Sequence, residues 1–566
     1  MCRSRCSGTA PDRWTSTPRW RRRRPLCRSA MKLQRAVVGA ACIVGLTLLA
    51  APAHAAAVDD SPLLAAAKRG DHEAVGALIA QGADVDAAQP DGTTALHWAA
   101  HRGDVEIVRA LLDAGADAAS SNRYGIAPLW LAAEDGHASV VAALLESGAD
   151  PDTTRGESGE TVLMIAARGG HAGVLRELIA HGAEVNRQEA VRRQSALMWA
   201  AAERHPEAAQ VLADAGADLE ARSSTGITPL LFAVRAGDIA TTGALLDAGA
   251  DPTATVTVQE HNFDGWALRG GDDRSAVALD GTTALTLAII NAHWELAAYL
   301  VERGADPNGN DSAHGRPLQA LAFVRRAVNR GLSPVIPRRE TGNISSLELA
   351  RVLVEHGAVV DDPIDWRNPY HQPPHMSLPW FTTLSYVGAT PFWLAAKRAD
   401  VELMTFLLEH GADPLLATAQ GVTPLLAAAG VGYSTGESPE TDAEALEAVK
   451  LLYELGADIE AVVPPAPEST ETGGMASYFG RDLPGSGAVH GAVTREAPDL
   501  LDWLIEHGAP LDERNGLEKT AIEVVYGVGL GTSRVVRERM GETLAAAMQA
   551  QGLPVPELSI VDTYQR

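Results

Sequence analysis

Cysteine is nearly absent: the four in this 566-residue chain, Cys2, Cys6, Cys27 and Cys42, all lie within its first 42 residues. From residue 56 onward there is no thiol, which excludes disulfides, thiol catalysis and Cys-based zinc sites there. Long apolar runs are also scarce. The stretch Ala36 to Ala51 is broken by Pro52 and His54 before it reaches the ~20 residues that a membrane span needs. Positive charge is in short supply beyond residue 55. Residues 1–55 hold eleven of the 47 Lys/Arg and one of the 72 Asp/Glu, so the remainder carries 36 against 71, a net charge of −35. Such an acidic surface disfavours nucleic acid and anionic lipid as partners. A phosphate loop is missing too. Gly527-Val528-Gly529-Leu530-Gly531 is glycine-rich, but it lacks the Lys and Ser/Thr of such a loop and the strand that a dinucleotide site needs, so no nucleotide is expected.

The N-terminal region reads as two segments. Residues 1–30 carry the run Arg21 to Arg24, three cysteines and no apolar periodicity, and are read as a spurious or non-structural extension. Residues 31–55 have the pattern of a secretory signal peptide: Lys32 and Arg35, then the apolar stretch, then small residues at Ala53-His54-Ala55. Export to a periplasmic or secreted location is therefore expected, with cleavage near Ala55. A membrane enters only if that segment stays uncleaved.

What the chain has in abundance is self-similarity. Gly-Ala-Asp or a close variant recurs at Gly82, Gly115, Gly148, Gly182, Gly216, Gly249, Gly304, Gly357, Gly411, Gly456 and Gly508, and the first five steps are 33 or 34 residues. A unit of that size cannot bury its own apolar face and must stack on neighbours. Each segment of the unit has a physical task. A hydroxyl (Ser61, Thr94, Thr228, Thr390, Thr423) caps the first helix, and Pro62, Pro229, Pro391 and Pro424 occupy its first position. Paired alanines such as Ala66-Ala67 and Ala395-Ala396 keep this inner helix thin. Val105-Glu106-Ile107-Val108-Arg109-Ala110-Leu111-Leu112 gives the outer helix an apolar stripe. The recurrent Gly ends the outer helix in a left-handed conformation.

The segments Asp91-Gly92-Thr93-Thr94-Ala95-Leu96-His97 and Gly115-Ala116-Asp117, recurring from about Ser61 to Pro510, resemble the ankyrin repeat family. The combination with a leader is similar to exported bacterial ankyrin proteins. The resemblance implies an all-α solenoid of about 11–12 helix-turn-helix units with enlarged finger loops in the C-terminal half. It also implies a protein-interaction role. The family's His stands only at His97 and His490. Elsewhere the position holds Trp130, Met164, Met198, Leu231, Thr286, Gln319, Trp393 or Leu426, where the inter-repeat hydrogen bond of that His is not expected. The expected organisation is regular repeats over 56–252, repeats with insertions over 253–540 and a C-terminal cap and tail over 541–566.

Spacing locates the insertions. In a regular unit the Gly lies 14 residues before the next motif Leu, yet Gly249 to Leu285 is 36, Gly357 to Phe392 is 35 and Gly456 to Val489 is 33. These three inserts enlarge the hairpin between repeats. Leu318 to Gly357 is 39 and Leu425 to Gly456 is 31, against 19 in a regular unit, so those inserts lie between inner and outer helices. The two kinds are expected on opposite edges of the array. The fingers are rich in aromatics, with Phe263 and Trp266 in the first, Trp366, Tyr370, Trp380, Phe381 and Tyr386 in the second, and Tyr478 and Phe479 in the third. Such side chains suit a binding edge, or else tuck each loop onto the array.

A second candidate surface follows the inner-helix alanines. The positions five and six residues after each motif Leu read Lys68-Arg69, His101-Arg102, Glu134-Asp135, Arg168-Gly169, Ala202-Glu203, Arg235-Ala236, Lys397-Arg398 and Thr494-Arg495. In so acidic a chain this stripe is enriched in positive charge and suits an acidic partner segment. Basic residues are also commonplace at these positions of the repeat. The binding candidates are thus Arg69, Arg102, Arg168, Arg235, Lys397 and Arg398 together with the finger aromatics.

Enzyme signatures are weak. Gly432-Tyr433-Ser434-Thr435-Gly436 matches a nucleophile elbow but lacks its strand-to-helix turn. Asp361, Asp362, His371 and His375 could supply metal ligands, but Pro373 and Pro374 prevent the two histidines from sharing a helix face. No catalytic residue, metal or cofactor is expected. The expected function is a non-catalytic scaffold for a protein partner. Carbohydrate or small-ligand binding through the aromatic fingers is the alternative, and a metal-dependent enzyme is a more distant one.

Overall fold

The computed structural model describes residues 61–257, 281–310, 315–326, 329–330, 333–334, 342–365, 384, 386–433, 441–465, 483–526 and 534–557. Within them twelve helix pairs follow one another, from Pro62–Arg69 with His72–Ala80 to Ala521–Val525 with Arg534–Ala550. The expected all-α solenoid is what the chain forms. Inner helices pack on inner helices in chain order, and outer helices form a second row behind them. Strand is confined, among the described residues, to two ladders of two residues each. No described helix is long and apolar enough to cross a membrane.

The local chemistry follows the sequence closely. Side-chain oxygens of Ser61, Thr161, Ser195, Thr228, Thr283, Thr390 and Thr423 each accept the backbone N–H three residues on. The eleven recurrent glycines that end the outer helices all have φ between +80° and +99°, a region closed to most other residues. Inner-helix alanines are wholly buried, as with Ala66, Ala99, Ala132, Ala166 and Ala395 at 0% exposure, so their helices approach closely.

Between units, three series of polar contacts keep register. Hairpin tips join one another, with the Arg123 N–H donating to the Asp91 carbonyl at 2.8 Å and the Ser224 N–H to the Arg192 carbonyl at 2.8 Å. The turns after the outer helices are tied by side chains. Asp86 accepts the Asp117 N–H at 3.0 Å, Asn186 the Asp218 N–H at 2.7 Å and Asn308 the Val359 N–H at 2.9 Å. In the motif row, His97 Nε2 donates to the Ile126 carbonyl at 3.0 Å and His490 Nε2 to the Lys519 carbonyl at 3.1 Å.

That last bond is not limited to histidine, which corrects the sequence expectation. Trp393 Nε1 donates to the Val422 carbonyl at 2.8 Å and Gln319 Nε2 to the Asp362 carbonyl at 2.6 Å. Any side chain that places an N–H at the same depth can serve. Trp130 does not, since its Nε1 is buried without a partner.

Burial holds both motif histidines below the usual imidazole pKa. A native state that resists protonation loses stability once the unfolded chain takes up the proton, near pH ~6.5. Stability should therefore fall as pH drops from about 6.5 toward the lowered native values, at up to about 1.4 kcal/mol per pH unit per histidine. The carboxylates of Glu348, Glu444 and Glu523, lowered by hydrogen bonds from the cap residues Ser345, Thr441 and Thr520, add their own loss only at more acidic pH. His490→Gln, which places at this unit the residue that Gln319 already uses, should keep the bond and flatten the urea midpoint between pH 6.5 and 5. An unchanged slope would show that His490 does not control this window.

The insertions enter where spacing places them. Each finger begins on a paired hairpin base. The Val256 N–H donates to the Thr282 carbonyl at 3.0 Å, the Ile364 N–H to Ala389 at 2.9 Å and the Val463 N–H to Ser486 at 3.1 Å. The array continues across the first enlarged junction. Inner helices Pro229–Ala236 and Ala284–Ile290 pack directly, His293 Nε2 reaches the Arg235 carbonyl at 3.3 Å, and Arg303 pairs with Asp247 at 2.6 Å.

The expectation of opposite edges fails at the second finger. Leu384, near its end, approaches to 3.0 Å the point where a Cβ on Gly432 would lie, and Gly432 belongs to an inter-helix loop. Tyr386 lies edge-on to Phe323 at 5.4 Å and to Trp393 at 5.8 Å between ring centres. Leu384 and Tyr386 thus reach an inter-helix loop and two inner helices, so the two kinds of insert meet.

Candidate functional site

The basic stripe sits in the last turn of successive inner helices, where a cation also complements the helix dipole. In the first half it is open, with Arg69, Arg102, Arg168 and Arg235 all exposed. Aromatic rings interleave with the cations. Lys68 Nζ lies 4.7 Å from the ring centre of Trp98, and the guanidinium carbon of Arg168 lies 5.2 Å from that of Trp199, in each case one unit further on. Arg235 covers Phe232 of its own helix at 4.9 Å. Both Trp98 and Trp199 are half-buried, so each shows an edge along the groove.

Carboxylates interrupt the stripe only locally. Asp135 holds His101 at 2.7 Å and Glu134 reaches Arg168 at 3.7 Å, while Arg69 lies 3.9 Å from Asp71. Arg102 and Arg235 have no carboxylate partner among the described residues. The flank of Arg235 against the array is desolvated although its side chain remains exposed, and this lowers its pKa from the usual guanidinium value.

The second half of the stripe is closed, which corrects the placement of Lys397 and Arg398 on an open surface. Each is only 5% exposed. Lys397 Nζ lies 3.8 Å from the ring centre of Tyr433, which also receives Arg495 at 5.1 Å. The Tyr433 hydroxyl donates to the Lys397 carbonyl, and Arg495 Nη1 donates to the Ala428 carbonyl at 2.6 Å. Residues brought in by the insertions lie over these positions: Tyr433 over Lys397 and Arg495, and Tyr386 against Phe323.

Units eight, nine and ten are also joined by an ion-pair network. Arg325 Nε is 2.7 Å from Asp400 Oδ2, and the same guanidinium binds Glu402 and donates to Ser346 Oγ at 2.9 Å. Arg326 reaches Asp400 at 3.8 Å and Glu444 at 3.0 Å. Asp400 also caps the helix Val401–Glu409 by accepting the Leu403 N–H at 3.2 Å.

The remaining candidates are placed as follows. Trp266, Trp366, Tyr370, Trp380, Phe381, Tyr478 and Phe479 lie outside the described residues, as do Phe263, His371, His375, Ser434 and the segment from Gly527 to Gly531. Asp361 accepts the Asp413 N–H at 2.9 Å, with its pKa raised by burial, and Asp362 pairs with Arg316. Both are engaged in joining units. Tyr433, the second residue of the elbow-like motif, is buried.

One feature escaped the sequence reading. His137, His171 and His205 start outer helices and donate Nε2 to the carbonyls of His101, Glu134 and Arg168, at 3.2, 3.0 and 3.0 Å. Each ring covers the Gly that ends the preceding inner helix. A Cβ on Gly170 would come within 2.5 Å of His205, on a backbone already at φ +71°. The signal was available: the residue that opens the outer helix is histidine at His137, His171, His205 and His293 and aspartate at Asp71, Asp104, Asp238 and Asp400.

Comparison with known proteins agrees with this geometry. The family described as "Ankyrin repeats (3 copies)" matches residues 63–155, 129–223 and 163–256, and "Ankyrin repeat" matches 280–312 and 387–419. Among solved structures, the human ASB11 ankyrin repeat domain is similar at 26% identity, covering 39% of this chain and 98% of its own, with a TM-score of 0.32. No curated protein matches.

Proposed function

We propose that this chain, which matches ankyrin repeat models over residues 63–256, 280–312 and 387–419, is a member of that family and an exported, non-catalytic scaffold that binds a protein partner along the open half of its inner-helix face. The observation that carries this reading is the contrast between the two halves of one stripe. Homologous basic positions are packed from unit nine onward, yet Arg69, Arg102, Arg168 and Arg235 stay exposed, with Arg168 and Arg235 over aromatic rings. Stacked helices hold those side chains in fixed register, which lowers the ordering cost of association. The fingers supply a second, flanking contact surface. Export rests on the segment 31–55 and on the absence of thiols beyond it.

The test is affinity capture from an envelope fraction with three baits: the chain without residues 1–55, the same chain with the three fingers cut to ordinary hairpins, and a version with Arg102, Arg168 and Arg235 changed to Glu. Each bait must melt cooperatively first. Loss of a specific partner with the charge-reversed bait is the expected result. Loss only on finger trimming would move recognition to the fingers, and no specific partner on any bait would end the scaffold reading. Finding residues 1–55 intact on the exported protein would remove the signal-peptide assignment.

A further inference from the structure

The outer row of helices carries a feature that the basic stripe does not explain. Five residues before the recurrent Gly stands alanine in units one, two, three and six, but an aromatic residue in units seven, nine and eleven, as Tyr299, Phe406 and Trp503. Phe406 is 4% exposed, and His410 covers it at 4.2 Å between ring centres. Trp503 is only half-buried. His507 stacks on it at 3.9 Å and donates Nδ1–H to the Trp503 carbonyl at 2.8 Å. Tyr453 of unit ten stands edge-on to both rings, at 5.4 and 5.6 Å. Tyr453 and the nearby Leu455 are 39% and 37% exposed. Aromatic surface left together in water is a mark of an interaction site.

Charge around this cluster has one sign. The outer helices Val401–Glu409, Asp442–Glu454 and Pro498–Glu506 carry two, four and three carboxylates, and Lys450 is their single Lys or Arg. Glu409, Glu454 and Glu506 each end a helix and are exposed, and none has an ion-pair partner among the described residues. A carboxylate at a helix C-terminus opposes the helix dipole, so these three do not serve the stability of their own helices. Rings and carboxylates share one ligand. The face of Trp or Tyr attracts a cation, and a carboxylate accepts the forked N–H groups of a guanidinium. Arginine can do both at once because its head is planar, whereas the lysine ammonium is a compact, strongly hydrated point charge.

We propose that the outer face of units nine to eleven is a docking surface for an arginine-bearing basic segment of a partner protein. One guanidinium lies against the exposed part of the Tyr453, Trp503 and His507 cluster and pairs with Glu454 or Glu506, while further cations of the segment meet Glu409 and Glu447. This surface lies behind the inner helices and selects the opposite charge from the stripe, so it goes beyond the scaffold reading above and stands or falls apart from it.

The experiment measures binding of fluorescent 12-residue peptides to the full-length chain by anisotropy at moderate salt. One peptide carries four Arg separated by Gly and Ser, a second has Lys in place of Arg, and a third has Glu. The Arg peptide is expected to bind at least threefold tighter than the Lys peptide, and the Glu peptide not at all. Glu454→Lys with Glu506→Lys should weaken the Arg peptide at least tenfold without lowering the urea midpoint, since a cation suits a helix C-terminus. Asp113→Lys with Glu146→Lys, the same change at the same helix position in units two and three, should alter binding less than twofold. Tyr453→Ser, a change at an exposed ring, should remove the preference for Arg over Lys.

Equal binding of the Arg and Lys peptides, or an Arg preference that survives Tyr453→Ser, overturns the proposal, because what remains is general attraction to an acidic chain. Equal losses from the two charge-reversed pairs overturn it on the same ground. Displacement of the Arg peptide by cellotetraose overturns a peptide as the occupant and makes the cluster a sugar platform. Capture that depends on Arg102, Arg168 and Arg235 is unaffected by any of these outcomes.

Discussion

Changing Asp400 to Ala should cost the chain about 3–5 kcal/mol, because it strips the charge partner from a guanidinium that the fold has taken out of water. The Asp400 side chain is 3% exposed and that of Arg325 is 10% exposed. Their attraction acts in a medium that screens poorly, and either group left alone pays its desolvation in full. The same change removes the cap on Leu403, worth about 1 kcal/mol. Glu402, which binds the same arginine, is 65% exposed, and Glu402→Ala should cost at most about 1 kcal/mol.

The control is the double variant Arg325→Met with Asp400→Leu. Replacing both charges by apolar groups leaves nothing unpaired, so it should cost less than either single removal. The contacts join residue 325 to residue 400, and Arg326 extends them to Glu444 on the next unit but one. Loss of Asp400 should therefore also split urea unfolding into two steps, since arrays lose cooperativity at weakened interfaces. A single transition shifted by under 1 kcal/mol would show the network to be an ornament on a stack held by its alanines and leucines.

How this network escaped the sequence says what a repeat sequence encodes. Local demands leave local marks. The left-handed glycines, the hydroxyl caps and the prolines at first helical positions are all legible, because each answers to backbone geometry within a few residues. Insert positions are legible too, by counting against a fixed period, and the paired bases at Val256 and Thr282 and at Val463 and Ser486 sit where counting puts them. What lies over an inner helix is not periodic. Lys397 and Arg398 occupy the same register as Lys68 and Arg69, with the same neighbours in sequence. Lys397 is covered by Tyr433, which arrives from an insertion that has no counterpart in the first half. Arg325 and Asp400 are 75 residues apart, and no pattern in either segment announces the other. The stripe reads as one uniform surface in sequence, yet it is open at Arg69 and buried at Lys397 and Arg398.

The motif position shows the opposite error, in which a departure from the family residue conceals a retained function. Trp393 stands where the family has His, and its indole N–H makes the bond to the carbonyl 29 residues on, the same separation as from His97 to Ile126 and from His490 to Lys519. It also fills a core volume at 0% exposure, against the edge of Tyr386. Two contributions are thus combined in one side chain, and substitutions separate them. Trp393→Ala loses both and should cost about 3–5 kcal/mol. Trp393→Phe keeps most of the volume but leaves the Val422 carbonyl without its donor, at about 1–3 kcal/mol. Trp393→His keeps a donor and gives up volume, so it should fall between the wild type and Ala. Urea unfolding of the three variants decides between them. If Phe matches the wild type, the inter-repeat bond contributes nothing at this unit and the motif row is held by packing. If His matches the wild type, the indole's bulk is dispensable and Tyr386 does not need Trp393 to hold its place.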